Sequence, residues 1–357
     1  LDEILFLKYG GFSMKISKSD YYRNELDIQY QPPAAMQLGV GLGLVEYIPY
    51  QIRDSFVSLL SLVRPKPSKG EKRRNFPIDD LADRMDPTTE EKREFWQKEF
   101  GVIMTHDVDT REGYEYGLSK FVEMEKQKDI VSTFNIVPNS LVYNLDPDVV
   151  TSLIREGFDI GMHGLHHDGK FAYLSNDEQK ARIFEVAKRA QELDLPSIGY
   201  RAPWLHRTKK MVQYLTEAGF EWDSSFPDTD DSTIGYATTG SRTVFPFYPL
   251  YRDGDTWKQS PMLEIPVSMP QDWTLLYYYK LSEESILRVW KKKMEYIKSK
   301  GGVAAFILHP DQEDFGHPKY HNAYRSLLKI IKDADPELIT CSNLAKRWKK
   351  KFPPISS

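Results

Sequence analysis

The residues of this chain best suited to chemistry fall in two short stretches, THDVD at 105–109 and HGLHH at 163–167. Asp107 and Asp109 follow the apolar run Phe100 to Met104, and His163 and His167 follow the run Phe158 to Met162. A carboxylate with two imidazoles is a usual ligand set for a catalytic zinc, leaving one coordination position for water. A second carboxylate beside the ligating one can serve as general base. Strand spacing turns both aspartates to one side, and the spacing of a helical turn does the same for His163 and His167. On spacing alone His166 competes as a ligand, whereas His106 points away from the aspartates and reads as a packed residue. Three of the eight histidines lie within 163–167, so the cluster is expected to bind something.

Two further stretches bear on the same chemistry. In RAPW at 201–204, Arg201 can pair with a carboxylate and keep it ionised, while Trp204 offers a ring wall and a backbone N–H. In ILHP at 307–310, His309 leaves an apolar run that starts at Val303, which places it to act as a general acid.

These groups need a scaffold that brings them together. From residue 100 onward, short apolar runs alternate with amphipathic helical patterns, the mark of parallel strands joined by helices. Strands are expected over 101–105, 132–136, 159–163, 197–201, 221–223, 262–266, 303–309 and 338–340. Helices are expected over 118–127, 147–156, 177–193, 209–218, 283–300 and 322–333. Gly157, Gly219 and Gly301 stand just past three of these, where left-handed caps belong. Seven or eight such units close a barrel whose active groups sit at the C-terminal strand ends. Thr105 to Asp109, His163, Arg201, Asp223 and His309 all end or follow an expected strand.

Residues 1–96 read as an irregular extension and 97–357 as the catalytic domain. The extension offers a strand pair near Ile4–Lys8 and Phe12–Ile16, a helix-like run at 50–63 and the connector RPKPSKGEKRRNFP at 64–77. A helix over 89–99 leads into the first barrel strand. GLGL at 41–44 lacks the Lys-Ser/Thr of a phosphate loop.

The bulk of the 357 residues narrows the function classes. A net charge of −4, from 48 basic and 52 acidic residues, argues against a nucleic-acid partner. The single cysteine, Cys341, excludes an intrachain disulfide and any cysteine-based metal site. No apolar run reaches the roughly 18 residues of a membrane span. The opening LDEILFLKYGGF lacks the basic start of a signal peptide, which favours a cytoplasmic location, but it begins with Leu rather than Met and the location stays open. Oligomeric state is not readable. The basic end Arg347–Lys351 reads as a solvated helix terminus.

Taken in order, THDVD, HGLHH, RAPW and ILHP make residues 100–345 resemble the polysaccharide deacetylases, the NodB-homology carbohydrate esterases. The resemblance implies an α/β fold, a distorted (β/α) barrel of about seven parallel strands. It implies a divalent metal, usually zinc, with cobalt, nickel or iron also suited to such ligands. It also implies hydrolysis of an acetyl group, N-acetyl before O-acetyl, from an acetylated carbohydrate. Carried over by motif, Asp107 is the base, Asp109, His163 and His167 are the metal ligands, Arg201 orients the base and His309 is the acid.

The common form of the first motif has adjacent acids after an aromatic; here His106 replaces the aromatic and Val108 separates the acids. The aspartate expected behind His309 is Asp272 of QDW (271–273), with Asp223 as alternative. Trp204 and Trp273 are candidate sugar platforms, as are Tyr277, Tyr278 and Tyr279, of which strand alternation allows only part to face a substrate. Residues 224–260 read as an insertion near the mouth. Two alternatives accompany the main expectation: hydrolysis of a small cyclic amide on the same fold, and a non-catalytic glycan-binding domain.

Overall fold

The computed structural model describes residues 4–9, 12–17, 88–228, 241 and 243–355, the first two segments by their backbone only. The expectations for 18–87 and for 229–240 lie outside these residues. Ile4–Tyr9 (β1) and Phe12–Ser17 (β2) form an antiparallel hairpin.

The barrel begins with Gly101–Val108 (β3), every residue of which is buried. Thr133–Ile136 (β4), Asp159–Met162 (β5), Gly199–Tyr200 (β6), Trp222–Asp223 (β7) and Leu263–Glu264 (β10) follow it outward in one parallel sheet. Val303–Leu308 (β11) pairs with the other edge of β3 over its whole length, from Val303 opposite Gly101 to Leu308 opposite His106. Glu337–Leu338 (β12) pairs with the lower part of β3, beneath β4. Strands covered on both faces and both edges cannot alternate apolar with polar, and VAAFIL of β11 is buried throughout.

The ring closes without a full ladder between β10 and β11. Met269 N–H donates to Ala305 O at 3.1 Å, and Ser268 Oγ donates to Val303 O and accepts from Ala305 N. Residues 244–247 of the expected insertion contribute to this closure. Phe247 pairs with Glu264, and Val244 O receives the N–H of Val303, the first residue of β11. Val244 thus lies at the end opposite the strand C-termini, whereas Phe247 meets the last residue of β10. Leu250–Asp253 (β8) and Thr256–Gln259 (β9), an antiparallel hairpin, lead back to the sheet.

The helices follow their end signals. After the short Glu90–Arg93 (α1) comes Leu118–Lys126 (α2). Pro147–Arg155 (α3) starts with Pro after the cap Asp146. Asn176–Glu192 (α4) opens with a reciprocal Ser175–Glu178 box. Met211–Glu217 (α5), Glu283–Lys300 (α6), His321–Asp333 (α7) and Cys341–Lys351 (α8) complete the shell. Gly157, Gly219 and Gly301 take the left-handed backbone expected of caps.

Two expected elements differ. The helix over 89–99 stops at Arg93, and Phe95 and Trp96 are buried in the irregular segment that follows. Trp96 turns inward and donates to Gly301 O at 2.8 Å. Arg347 is not simply solvated: it pairs with Glu337 and donates to the Phe95 carbonyl, and Trp348 beside it is buried. Among the described residues no helix is long and apolar enough to cross a membrane.

Candidate metal and acid–base centre

Asp107, Asp109, His163, Arg201 and His309 stand where strands end. β3 carries Asp107 within the ladder and delivers Asp109 one residue beyond it. His163 directly follows β5, and Arg201 follows β6. His309 follows β11. Because β3 lies between β4 and β11, its C-terminal end is the place where these loops meet.

Asp109 faces both histidines. Its Oδ1 is 3.2 Å from His163 Nε2 and its Oδ2 is 3.3 Å from His167 Nε2. The ligand atoms of the three residues all lie within 4.8 Å of one another. The histidines do not share a helical turn as their spacing suggested. Residues 163–167 form an open loop in which Gly164 is left-handed and leaves no room for a side chain, since a Cβ there would lie 2.5 Å from Pro203 Cγ. The rings still come within 5.1 Å, centroid to centroid.

The donor set fits a divalent ion on two further observations. Asp109 Oδ1 and His167 Nε2 are buried without a hydrogen-bond partner, a costly state unless another atom takes their lone pairs. His163 Nδ1 lies 3.1 Å from Arg201 O, which only accepts, so the proton sits on Nδ1 and Nε2 presents a lone pair. Burial draws His167 down to about 4, keeping it neutral as a ligand requires. Burial opposes ionisation of Asp109, but His167 and His163 hold it well below the ordinary carboxylate range.

Asp107 is held differently. Asn135 Nδ2 donates to its Oδ1 at 2.7 Å, and Arg201 Nε lies 3.7 Å from the same oxygen. Its Oδ2 remains turned to the histidines, 3.9 Å from His163 Nε2. Burial alone would raise this carboxyl, yet Arg201, then His163 and His309, bring it below its ordinary value. Arg201 is itself fixed by Thr105 Oγ1 at 2.9 Å.

On the other side, His309 Nδ1 lies 2.7 Å from Asp272 Oδ1 and its Nε2 lies 4.0 Å from Asp109 Oδ2. Burial works against a charged imidazole here, but Asp272 raises His309 well above its ordinary pKa. Asp272, His309 and Asp314 also lie close enough to form a ligand trio. The short Asp272 contact makes this a hydrogen-bonded pair instead. Asp223 faces elsewhere: its Oδ1 accepts from Ser225 Oγ at 2.5 Å, and its carboxyl lies beside that of Glu264.

The remaining candidates separate into rim and core. Trp204 is half-buried, its ring 6.1 Å from that of His167, and Trp204 and Leu205 both take positive φ. Two successive non-glycine residues in that region store backbone strain of about 1–3 kcal/mol each, as tight functional loops do. Trp273 is half-buried against Tyr277 at 5.9 Å. Residues 274–278 form a wide helical turn, so strand alternation does not govern Tyr277 and Tyr279, and Tyr277 donates to Glu313 O. His106 sits in the core, its Nε2 2.9 Å from Glu125 Oε1, and His166 is turned to Asn139 O at 2.7 Å. Asn135, Glu125 and Asp311 were not singled out in the sequence. An asparagine inside the apolar run FNIV was the one signal for the first of them.

No family model matches the chain, and no curated protein does. Among solved structures it is similar to one assigned as a polysaccharide deacetylase from Mycobacterium smegmatis, at 18% identity and a TM-score of 0.56, over 73% of this chain and 96% of that one. Another, assigned as a polysaccharide deacetylase from Pseudomonas aeruginosa PAO1, is 14% identical with a TM-score of 0.59, over 77% and 99% of the two chains. The structure of PuuE allantoinase gives 14% and 0.59, over 78% and 99%. With strands β3 to β7, β10 and β11 in a curled parallel sheet and helices around it, this chain has the polysaccharide deacetylase fold.

Proposed function

We propose that the chain is a metal-dependent hydrolase that removes acetyl groups, N-acetyl first among them, from a carbohydrate. The observation that carries this is the convergence on Asp109: two imidazole nitrogens face its two oxygens, and His309 Nε2 lies 4.0 Å from Oδ2. Asp109, His163 and His167 would hold a divalent ion, zinc by preference, which when bound activates water and polarises the acetyl carbonyl. Asn135 and Arg201 occupy Oδ1 of Asp107 and keep the group ionised, leaving Oδ2 to take the proton of the attacking water. His309, charged through its contact with Asp272, donates a proton from Nε2 to the departing sugar nitrogen. That donation is needed because an amide anion is a poor leaving group. The Trp204 N–H, in the strained loop beside His167, is suited to the oxygen that gains charge during attack. Trp204 and Trp273 would flank the sugar.

The deciding experiment measures acetate release from acetylated oligosaccharides, with and without a chelator and after zinc is restored. Chelator-sensitive release supports the proposal. Activity that persists in metal-free protein, or that appears only with small cyclic amides, overturns it.

A further inference from the structure

We propose that Asp311 is a positioning residue that fixes Asp109 in its ligand orientation and thereby sets how tightly the divalent ion is held; this rests on the metal site proposed above. Asp109 is one residue too far for the sheet to hold it. The β3–β4 ladder ends with Val108 opposite Ile136. Past that point the backbone bonds of the strand are replaced by one carboxylate from the loop that follows the neighbouring strand β11. Asp311 Oδ1 accepts from Thr110 N at 2.9 Å and from the Thr110 hydroxyl, while its Oδ2 takes the N–H of Asp109 at 3.4 Å. The same Thr110 hydroxyl accepts from Gly113 N at 3.0 Å and so ties the loop to the turn that follows.

The surroundings suit this task and no other obvious one. Asp311 is only 2% exposed, and among the described residues no lysine or arginine pairs with it, so its partners are the donors of this loop. Room for it depends on Gly113, where a Cβ would stand 2.0 Å from Asp311 Oδ1. Asp311 also lies two residues after His309. One side chain therefore fixes the metal ligand relative to the segment that carries the acid. Groups that orient a ligand in this way are typically worth about 10- to 100-fold in metal affinity.

The test is zinc affinity of the full chain, measured by competition with a chromophoric chelator, for wild type, Asp311→Ala, Gly113→Ala and, as a control without a ligand, His163→Ala. Asp311→Ala and Gly113→Ala are expected to weaken zinc binding about 10- to 100-fold with unchanged circular dichroism. An Asp311→Ala affinity equal to wild type overturns the inference while leaving the metal site standing. Wild type that binds no zinc overturns the metal site itself, and this inference with it. Should Asp311→Ala not fold, Thr110→Val removes the hydroxyl's bonds to Asp311 and Gly113 with little change of shape. It is expected to weaken zinc several-fold, and an unchanged affinity again overturns the inference.

Discussion

Asp272 binds His309 twice, taking the ring Nδ1 at 2.7 Å on one oxygen and the backbone N–H of the same residue at 2.8 Å on the other. The carboxylate thus fixes both the orientation of the imidazole and its charge. Asp272→Asn keeps the shape but removes the charge that favours the imidazolium, so turnover should fall by about 10²–10⁴-fold, the usual worth of general acid help. Metal content should not change. Acetate release measured beside metal analysis checks both, and an Asp272→Asn enzyme of full activity would remove His309 from the acid role.

Asp107 and Asp109 should part company under the same substitution. Asp107→Asn is expected to lose most turnover while retaining the ion, because none of Asp109, His163 and His167 is altered. Asp109→Asn should lose the ion as well. Metal analysis of the two purified variants tells them apart; a metal-free Asp107→Asn protein would exchange their roles.

His106 supports the fold and not the reaction. Its Nε2, the Ser132 hydroxyl and the Tyr324 hydroxyl all bind the buried carboxylate of Glu125, at 2.9, 2.7 and 2.7 Å. His106→Phe strands one lone pair of that carboxylate and should destabilise the protein by about 1–3 kcal/mol. Zinc affinity should stay as in wild type. Urea unfolding gives the first quantity and chelator competition the second.

A buried acid pair gives a pH signature away from the metal. Burial pushes Asp223 up to about 6, and burial together with Asp223 raises Glu264 well above its ordinary value. An acid whose folded pKa is raised stays protonated in the native state while the unfolded chain ionises, so stability falls as pH rises through that window. For this pair the loss runs from about pH 4 to 6 for Asp223 and continues higher for Glu264. Glu264→Gln retains an oxygen for the N–H groups of Ser225 and Phe226 but cannot ionise. Its stability relative to wild type should therefore grow between pH 4 and pH 8, as read from melting temperatures. A constant difference across that range would exclude the pair as the source.

Much of the barrel was legible because the physics that shapes it is local. Buried parallel strands show as short apolar runs, and three helix ends show as Gly157, Gly219 and Gly301. The order of the four motifs likewise located the residues that meet at the mouth. What escaped were features decided by contact across the chain. No spacing rule foretells that Gly164 takes a left-handed turn packed against Pro203, so an open loop stands between His163 and His167 where their spacing predicts a helical turn. The route of 243–247 is set by pairings with Glu264 and Val303, partners outside the segment that its own residues do not announce. Asp311 carries no signal of its own, since its partners lie about two hundred residues earlier.

That separation has a consequence for how the chain reaches its working state. β3 is the first strand of the barrel to be synthesised, but one of its edges waits for β11, near the other end of the sequence. Until that late strand docks, the aspartate loop has neither its neighbour nor the carboxylate of Asp311. Contacts of such large sequence separation form slowly, because loop closure must precede them. A nascent chain that has not yet released its last third would consequently carry Asp109, His163 and His167 without the contacts that orient Asp109 in the finished protein.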